Sequence, residues 1–329
     1  MKPSTTTKPT LSTGILALLC AAATASANIN IDTVTVGDPG NANDIYGFGG
    51  VSYTYAIGTY EVNNSEYTAF LNAVDPSGTN PNAVYDASMG SDAENGGIIF
   101  TSGAAIGAKY AAKAGFESKP VIYVSFLDAM RFANWLNNGQ GAGSTETGSY
   151  TLSLGGLAPR IAGASIVVAS EDEWVKAAYY DPTKGGSNYW LYPTQSDSAP
   201  GTTIGSSPNQ ANYSDPEGGG GFSDGVREGG AYSGSASHYG TFDQGGNVWE
   251  LNETVVAGFA RGFRGGAWTS FKSFPNELQS DSWGSYPATE GTNYIGFRIA
   301  IVPEPASAVL LLGGGALLAL RRRRSAAGV

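Results

Sequence analysis

The sequence predicts an α+β domain rich in irregular structure, on three observations. Three amphipathic segments each open on a capping residue with an acid three positions later. Between them lie short apolar, β-branched runs of strand length. The chain also carries 47 glycines and 16 prolines in 329 residues, which set frequent turns and leave few stretches long enough for an ordinary helix.

The elements follow in order. Val51 to Tyr60 alternates in polarity and predicts a strand leading into the first helix. That helix starts after Asn63, with Glu66 as its capping partner, and places Tyr67, Phe70, Leu71 and Val74 on one face at 3.6-residue spacing. The second helix starts after Ser125, again with an acid three residues on (Asp128), and buries Ala129, Phe132, Ala133 and Leu136. Ile166 to Ala169 predicts a short strand. The S-x-x-E box of Ser170 and Glu173 then opens a third helix that runs to about Tyr180, with Trp174 and Ala177 facing inward. Ile295 to Ile301 is apolar and β-branched enough for a core strand. Residues 76–118, 138–160 and 183–245 read as loop, and loops this long in a compact domain carry function or are organised by something such as a metal. There is no internal repeat, so the body of the chain reads as one domain.

The two ends read as addresses. Lys2 and Lys8, the apolar run Gly14 to Ala23 and the triplet Ala25-Ser26-Ala27 describe a secretory signal peptide over 1–27. Cys20, the only cysteine, follows Leu19 rather than the small residue a lipoprotein site needs. At the other end Pro303-Glu304-Pro305 precedes fifteen uncharged residues, 306–320, and then Arg321 to Arg324. Fifteen residues make a helix of about 22 Å, short of a hydrocarbon core of about 30 Å, and the arginines would stay cytoplasmic. This order resembles the PEP-CTERM sorting signal, here 303–329. The resemblance implies transient membrane anchoring through 306–320 and processing by an exosortase, with signal peptidase acting at the other end. It also implies delivery to the cell surface or extracellular matrix of a Gram-negative bacterium.

Between the signals lies a domain of residues 28–302. Residues 28–305 retain all 28 acids and 12 of the 18 basic residues, a net charge of −16. Such a surface repels phosphate backbones, which excludes nucleic acid as a partner. With no cysteine left there is no disulfide, and about 275 residues bury a sufficient core without one.

Six blocks then fall in a telling order. They are Tyr60-Glu61-Val62-Asn63 with Asn64 to Tyr67, Pro120 to Trp135, Ser170 to Ala178, Gly246-Asn247-Val248-Trp249-Glu250, Arg264-Gly265-Gly266-Ala267-Trp268, and Gly296-Phe297-Arg298. In this order and spacing they resemble the formylglycine-generating enzyme (sulfatase-modifying factor) family across residues 45–301. The resemblance implies that family's variant of the C-type-lectin-like fold.

It also implies calcium. One set would take carboxylates from Asp243 and Glu250 and carbonyls from Gly246 and Val248. A second would take side-chain oxygens from Asn212 and Asp224 and carbonyls from Tyr213 and Val226, with the glycine-rich loop 217–222 between them. All-oxygen donors suit a hard cation that takes six to eight of them. The alternatives are an acidic turn beside core Trp249 for the first and an ordinary solvated loop for the second.

The family's oxidase chemistry does not carry over. It uses copper(I) held by two cysteine thiolates, and the corresponding positions hold Ser270 and Pro275. A serine hydroxyl is hard and protonated, and proline has no donor, so copper is not expected. His238, the only histidine, excludes multi-histidine zinc and iron sites and reads as a loop residue. No catalytic residue is assigned. Trp190 and Trp283 lie in loops and, with Ser270, are the candidates for ligand contact; Trp135, Trp174, Trp249 and Trp268 read as core.

The expectation is an exported, non-catalytic binding or matrix protein whose partner is an extracellular polysaccharide or a surface protein. The alternative is an oxidoreductase of the resembling family, or other chemistry in a pocket around Ser270 lined by Arg264, Lys272 or Asp281. Filling of that region by Phe271, Phe274 and Trp268 would remove the site.

Overall fold

A computed structural model describes residues 28–214, 223–271 and 275–303. The leader 1–27, the apolar segment 306–320, the arginine cluster, the loop 217–222, Lys272 and Phe274 lie outside the described residues. Among the described residues no helix is long and apolar enough to cross a membrane.

In chain order the elements are β1 (Thr33–Val36), β2 (Tyr55–Gly58), α1 (Asn64–Val74), α2 (Ser88–Ser91), β3 (Ile98–Phe100), β4 (Tyr110–Ala112), α3 (Phe126–Asn137), β5 (Ile166–Val168), α4 (Glu171–Tyr179), β6 (Trp249–Val256), β7 (Ala260–Arg264), β8 (Gly284–Pro287), β9 (Ile295–Phe297) and β10 (Ile299–Ile301). Short 3₁₀ segments occur at Leu152–Leu157 and Pro275–Leu278. One four-stranded sheet runs β1-β2-β10-β5, a second runs β8-β7-β6-β9, and β3 and β4 form a hairpin. Few helices, small sheets and long irregular connections make this the expected α+β fold.

All three helix starts hold. Asn63, Ser125 and Ser170 each accept from the backbone N–H three residues on, and Glu66, Asp128 and Glu173 each accept from the capping residue's own N–H. Two of the orphan donors at each helix start are thereby satisfied locally. The inward faces are also as read. Phe132 is fully buried, with ring centroids of Tyr67, Phe70, Trp135 and Phe297 between 5.5 and 5.9 Å from its own. One ring thus joins α1, α3 and β9.

The strands differ from expectation in two places. Only Tyr55–Gly58 of the segment 51–60 is a strand. Val51 gives its carbonyl to Gly40 N–H at 2.8 Å and its N–H to Asn41 Oδ1 at 3.2 Å, so an upstream loop takes the groups a sheet neighbour would need. The run Ile295 to Ile301 is two strands in two sheets. β9 lies parallel to β6, while β10 lies antiparallel between β2 and β5. The division falls at Arg298, whose fully buried guanidinium leaves both sheets for a polar centre between them.

Candidate functional site

That polar centre is built on the first of the two proposed calcium sets. β6 brings Glu250 into the interior, where Arg298 Nε and Nη2 donate to its two oxygens and Trp174 Nε1 donates to Oε2 at 2.7 Å. The same guanidinium donates to the carbonyls of Gly58 at 2.8 Å and Phe242 at 3.0 Å. Arg298 therefore sits in an oxygen-rich shell as a fixed organic cation. Gly246 (φ 84°) must be glycine, because a Cβ there would stand 2.3 Å from the carbonyl of Asn212. Asp243 turns the chain with φ 61° and accepts from Gly230 N–H at 2.6 Å.

Two residues of this centre were given no role from sequence. Asn247 donates to Glu61 Oε1 at 3.0 Å and accepts from Asn212 Nδ2 and Arg227 N–H, both at 2.9 Å. Glu61 is buried, and its Oε2 has no partner. The available signal was position, since Glu61 and Asn247 sit inside two of the six blocks. Burial pushes the Glu61 carboxyl well up, and the nearby Asp243 and Glu250 charges add to this.

The second set meets the first at Asn212, which bridges Gly246 through its backbone and Asn247 through its side chain. Its Oδ1 accepts from Ser223 Oγ at 2.7 Å. The Asp224 carboxylate is turned outward, 3.0 Å from Arg227. Tyr213 and Val226 are buried in two small apolar clusters. Among the described residues no group of three or more His, Cys, Asp or Glu is placed to hold a metal. Glu250 is held by Arg298 and Asp224 by Arg227, so each of these two carboxylates already faces a guanidinium.

Asp243 makes the centre sensitive to pH. Burial raises its carboxyl to about 6, and Glu250 adds to this, against Gly230 N–H and Arg298, which lower it. The folded chain then holds this proton more tightly than the unfolded chain, so the contribution is full below about pH 4 and is lost as pH rises towards 6. Above that, the ionised group is a net cost. Asp243→Asn, measured in chelator, is expected to stabilise the fold at pH 7 by about 1–3 kcal/mol relative to its effect at pH 4. A difference in melting temperature that stays constant between those pH values would show that Asp243 does not titrate as argued.

The remaining candidates separate clearly. Ser270 is 2 % exposed; its hydroxyl accepts from Ala267 N–H at 2.9 Å and its carbonyl from Ser214 N–H at 2.8 Å. It closes a turn and faces no open space. Pro275 starts a 3₁₀ turn. Arg264 is buried and paired with Glu171 at 2.7 Å, so it does not line a pocket at Ser270. Phe271 is exposed and Trp268 packs on Ile122, Val226 and Val248. His238 Nδ1 lies 3.2 Å from Asp181. Trp283 is exposed at the start of β8. Trp190 lines a cavity of about 270 Å³ together with Asp44, Ile45, Tyr46, Lys184 and Asp197.

Comparison with known proteins agrees with this architecture. The chain is similar in fold to the crystal structure of CarF, at 20% identity and a TM-score of 0.50, covering 83% of this chain and 99% of that one. It also aligns with Treponema denticola variable protein 1, at 16% identity and a TM-score of 0.49, covering 84% and 97%. PvdO from Pseudomonas aeruginosa aligns at 16% identity and a TM-score of 0.42, covering 83% and 92%. No curated protein matches. Residues 51–302 match the sulfatase-modifying factor enzyme 1-like domain, so the chain belongs to the formylglycine-generating, sulfatase-modifying factor family.

Proposed function

We propose that this chain is an exported, non-catalytic member of its family that holds a polysaccharide or protein ligand at the cell surface or in the extracellular matrix. The observation that carries this is the donor chemistry at the two positions corresponding to the family's copper ligands. Ser270 offers a hydroxyl engaged within its own turn, and Pro275 offers nothing. Copper(I) needs soft thiolates, and neither side chain supplies one. Delivery rests on the leader 1–27 and the 303–329 signal, both read from sequence. Long loops on a rigid scaffold, many of them around Trp190 and residues 183–245, are the usual place for recognition.

The purified full-length chain tests this in two arms. With copper(I) and a cysteine-containing peptide, no conversion of the cysteine is expected; conversion would restore the oxidoreductase reading. With the host's extracellular polysaccharide and its surface proteins, co-sedimentation is expected, and failure to bind either overturns the proposal. Calcium rests on the resemblance alone. Any ion that binds the folded chain raises its melting temperature by linkage, so an unchanged melting temperature in EDTA removes calcium from both sets.

A further inference from the structure

We propose that the cavity between residues 44–46 and the 184–197 segment binds one neutral sugar ring, which deepens the ligand-binding function above and rests on it. Three features of the cavity point to this ligand.

The first is an aromatic surface fixed in advance. Trp190 Nε1 donates to Asp181 Oδ2 at 3.1 Å, and the Lys184 ammonium stands 4.7 Å from the indole centroid. Across the cavity Ile45 and Tyr46 are 79% and 47% exposed. A sugar ring has one face of C–H groups that packs on such surfaces.

The second is a matched donor and acceptor. Lys184 Nζ and Asp197 Oδ2 are 3.0 Å apart, and Leu191 N–H holds the other Asp197 oxygen at 3.0 Å. A vicinal diol both donates and accepts, so an ammonium beside a carboxylate reads two neighbouring hydroxyls together. Asp44 also lines the cavity. Its Oδ1 takes the N–H groups of Tyr46 and Phe48, while Oδ2 has no partner.

The third is charge. Asp281 stands close enough to the Tyr46 hydroxyl to raise its pKa, with smaller contributions from burial and Asp44. Asp44, Asp197 and Asp281 thus outnumber Lys184, which disfavours uronic or sulfated sugars. Lys184 already takes the place by the indole that a cationic ligand would seek, which disfavours amines. The volume of about 270 Å³ falls just under the range of about 300–1,000 Å³ that suits drug-sized ligands, as expected for one ring rather than an oligomer. The other large cavity, beside Arg160 and Arg261, has no such character, because those guanidinium groups are engaged by Glu173, Glu253 and backbone carbonyls.

The test uses the purified full-length chain with the methyl glycosides of glucose, galactose, mannose and N-acetylglucosamine, followed by saturation-transfer NMR and calorimetry. At least one glycoside is expected to bind with a dissociation constant of order 1 mM, and glucuronate at least about tenfold more weakly. Trp190→Ala and the exposed-site variant Asp197→Asn are each expected to weaken binding by about tenfold or more, with the melting temperature of Asp197→Asn unchanged. The site is overturned if none of the four glycosides binds, if glucuronate binds equally well, or if both variants bind like the unaltered chain. A chain that sediments with polysaccharide but shows any of these results keeps its binding function and loses this site. One that binds neither polysaccharide nor surface protein loses the function itself.

Discussion

Arg298→Met is expected to destabilise the fold by about 3–5 kcal/mol, the usual cost of removing one partner from a buried ion pair. The guanidinium is fully buried and neutralises Glu250, and it also serves the carbonyls of Gly58 and Phe242. Methionine keeps only the aliphatic stem of the side chain and removes every one of these donors. Glu61 and Asp243 would lose the Arg298 charge that lowers their already raised carboxyl pKa values. Thermal or denaturant unfolding measures the effect, with a fall in melting temperature on the order of 10 °C for a domain of this size. The double variant Arg298→Met with Glu250→Gln should recover part of the loss, because it removes the stranded charge. A single-variant loss below about 1 kcal/mol would show that the pair contributes no more than a surface bridge.

Phe132→Ala is expected to cost about 3–5 kcal/mol, by lost transfer energy and a cavity its neighbours cannot close. Phe132 lies within 6 Å, centroid to centroid, of four other rings on α1, α3 and β9. Such clusters are packed to the density of organic crystals and relax little around a void. Phe132→Leu keeps most of the volume and should lose clearly less. Equal losses for the two variants would mean that ring geometry, and not filled space, sets the stability here.

The helices were legible because their start signals are local. Asn63 with Glu66, Ser125 with Asp128 and Ser170 with Glu173 each close a loop of three residues that needs no distant partner. β6 was not legible as a strand, because Glu250 and Asn252 are buried in its centre and break the expected alternation. Glu250 is held there by groups 48 residues away in sequence or further, Arg298 and Trp174, while the Asn252 side-chain oxygen accepts from Thr254 N–H. The candidate sites divide in the same way. The hardness of Ser270 and the emptiness of Pro275 can be read from residue identity alone. That Glu250 answers to a guanidinium, or that Asp44 and Tyr46 face Trp190, depends on long-range closure that no spacing rule encodes. Trp190 was singled out from its loop position, but the segment opposite it was not.

The two strands on either side of Arg298 also set a schedule for folding. β10 lies in the middle of one four-stranded sheet and β9 forms one border of the other, and both come from residues 295–301. Neither sheet can be finished while those residues are still inside the ribosome or a translocation channel. Contacts of such large sequence separation make assembly slow and favour an all-at-once closing step. A chain built this way stays incomplete until its last described strands emerge.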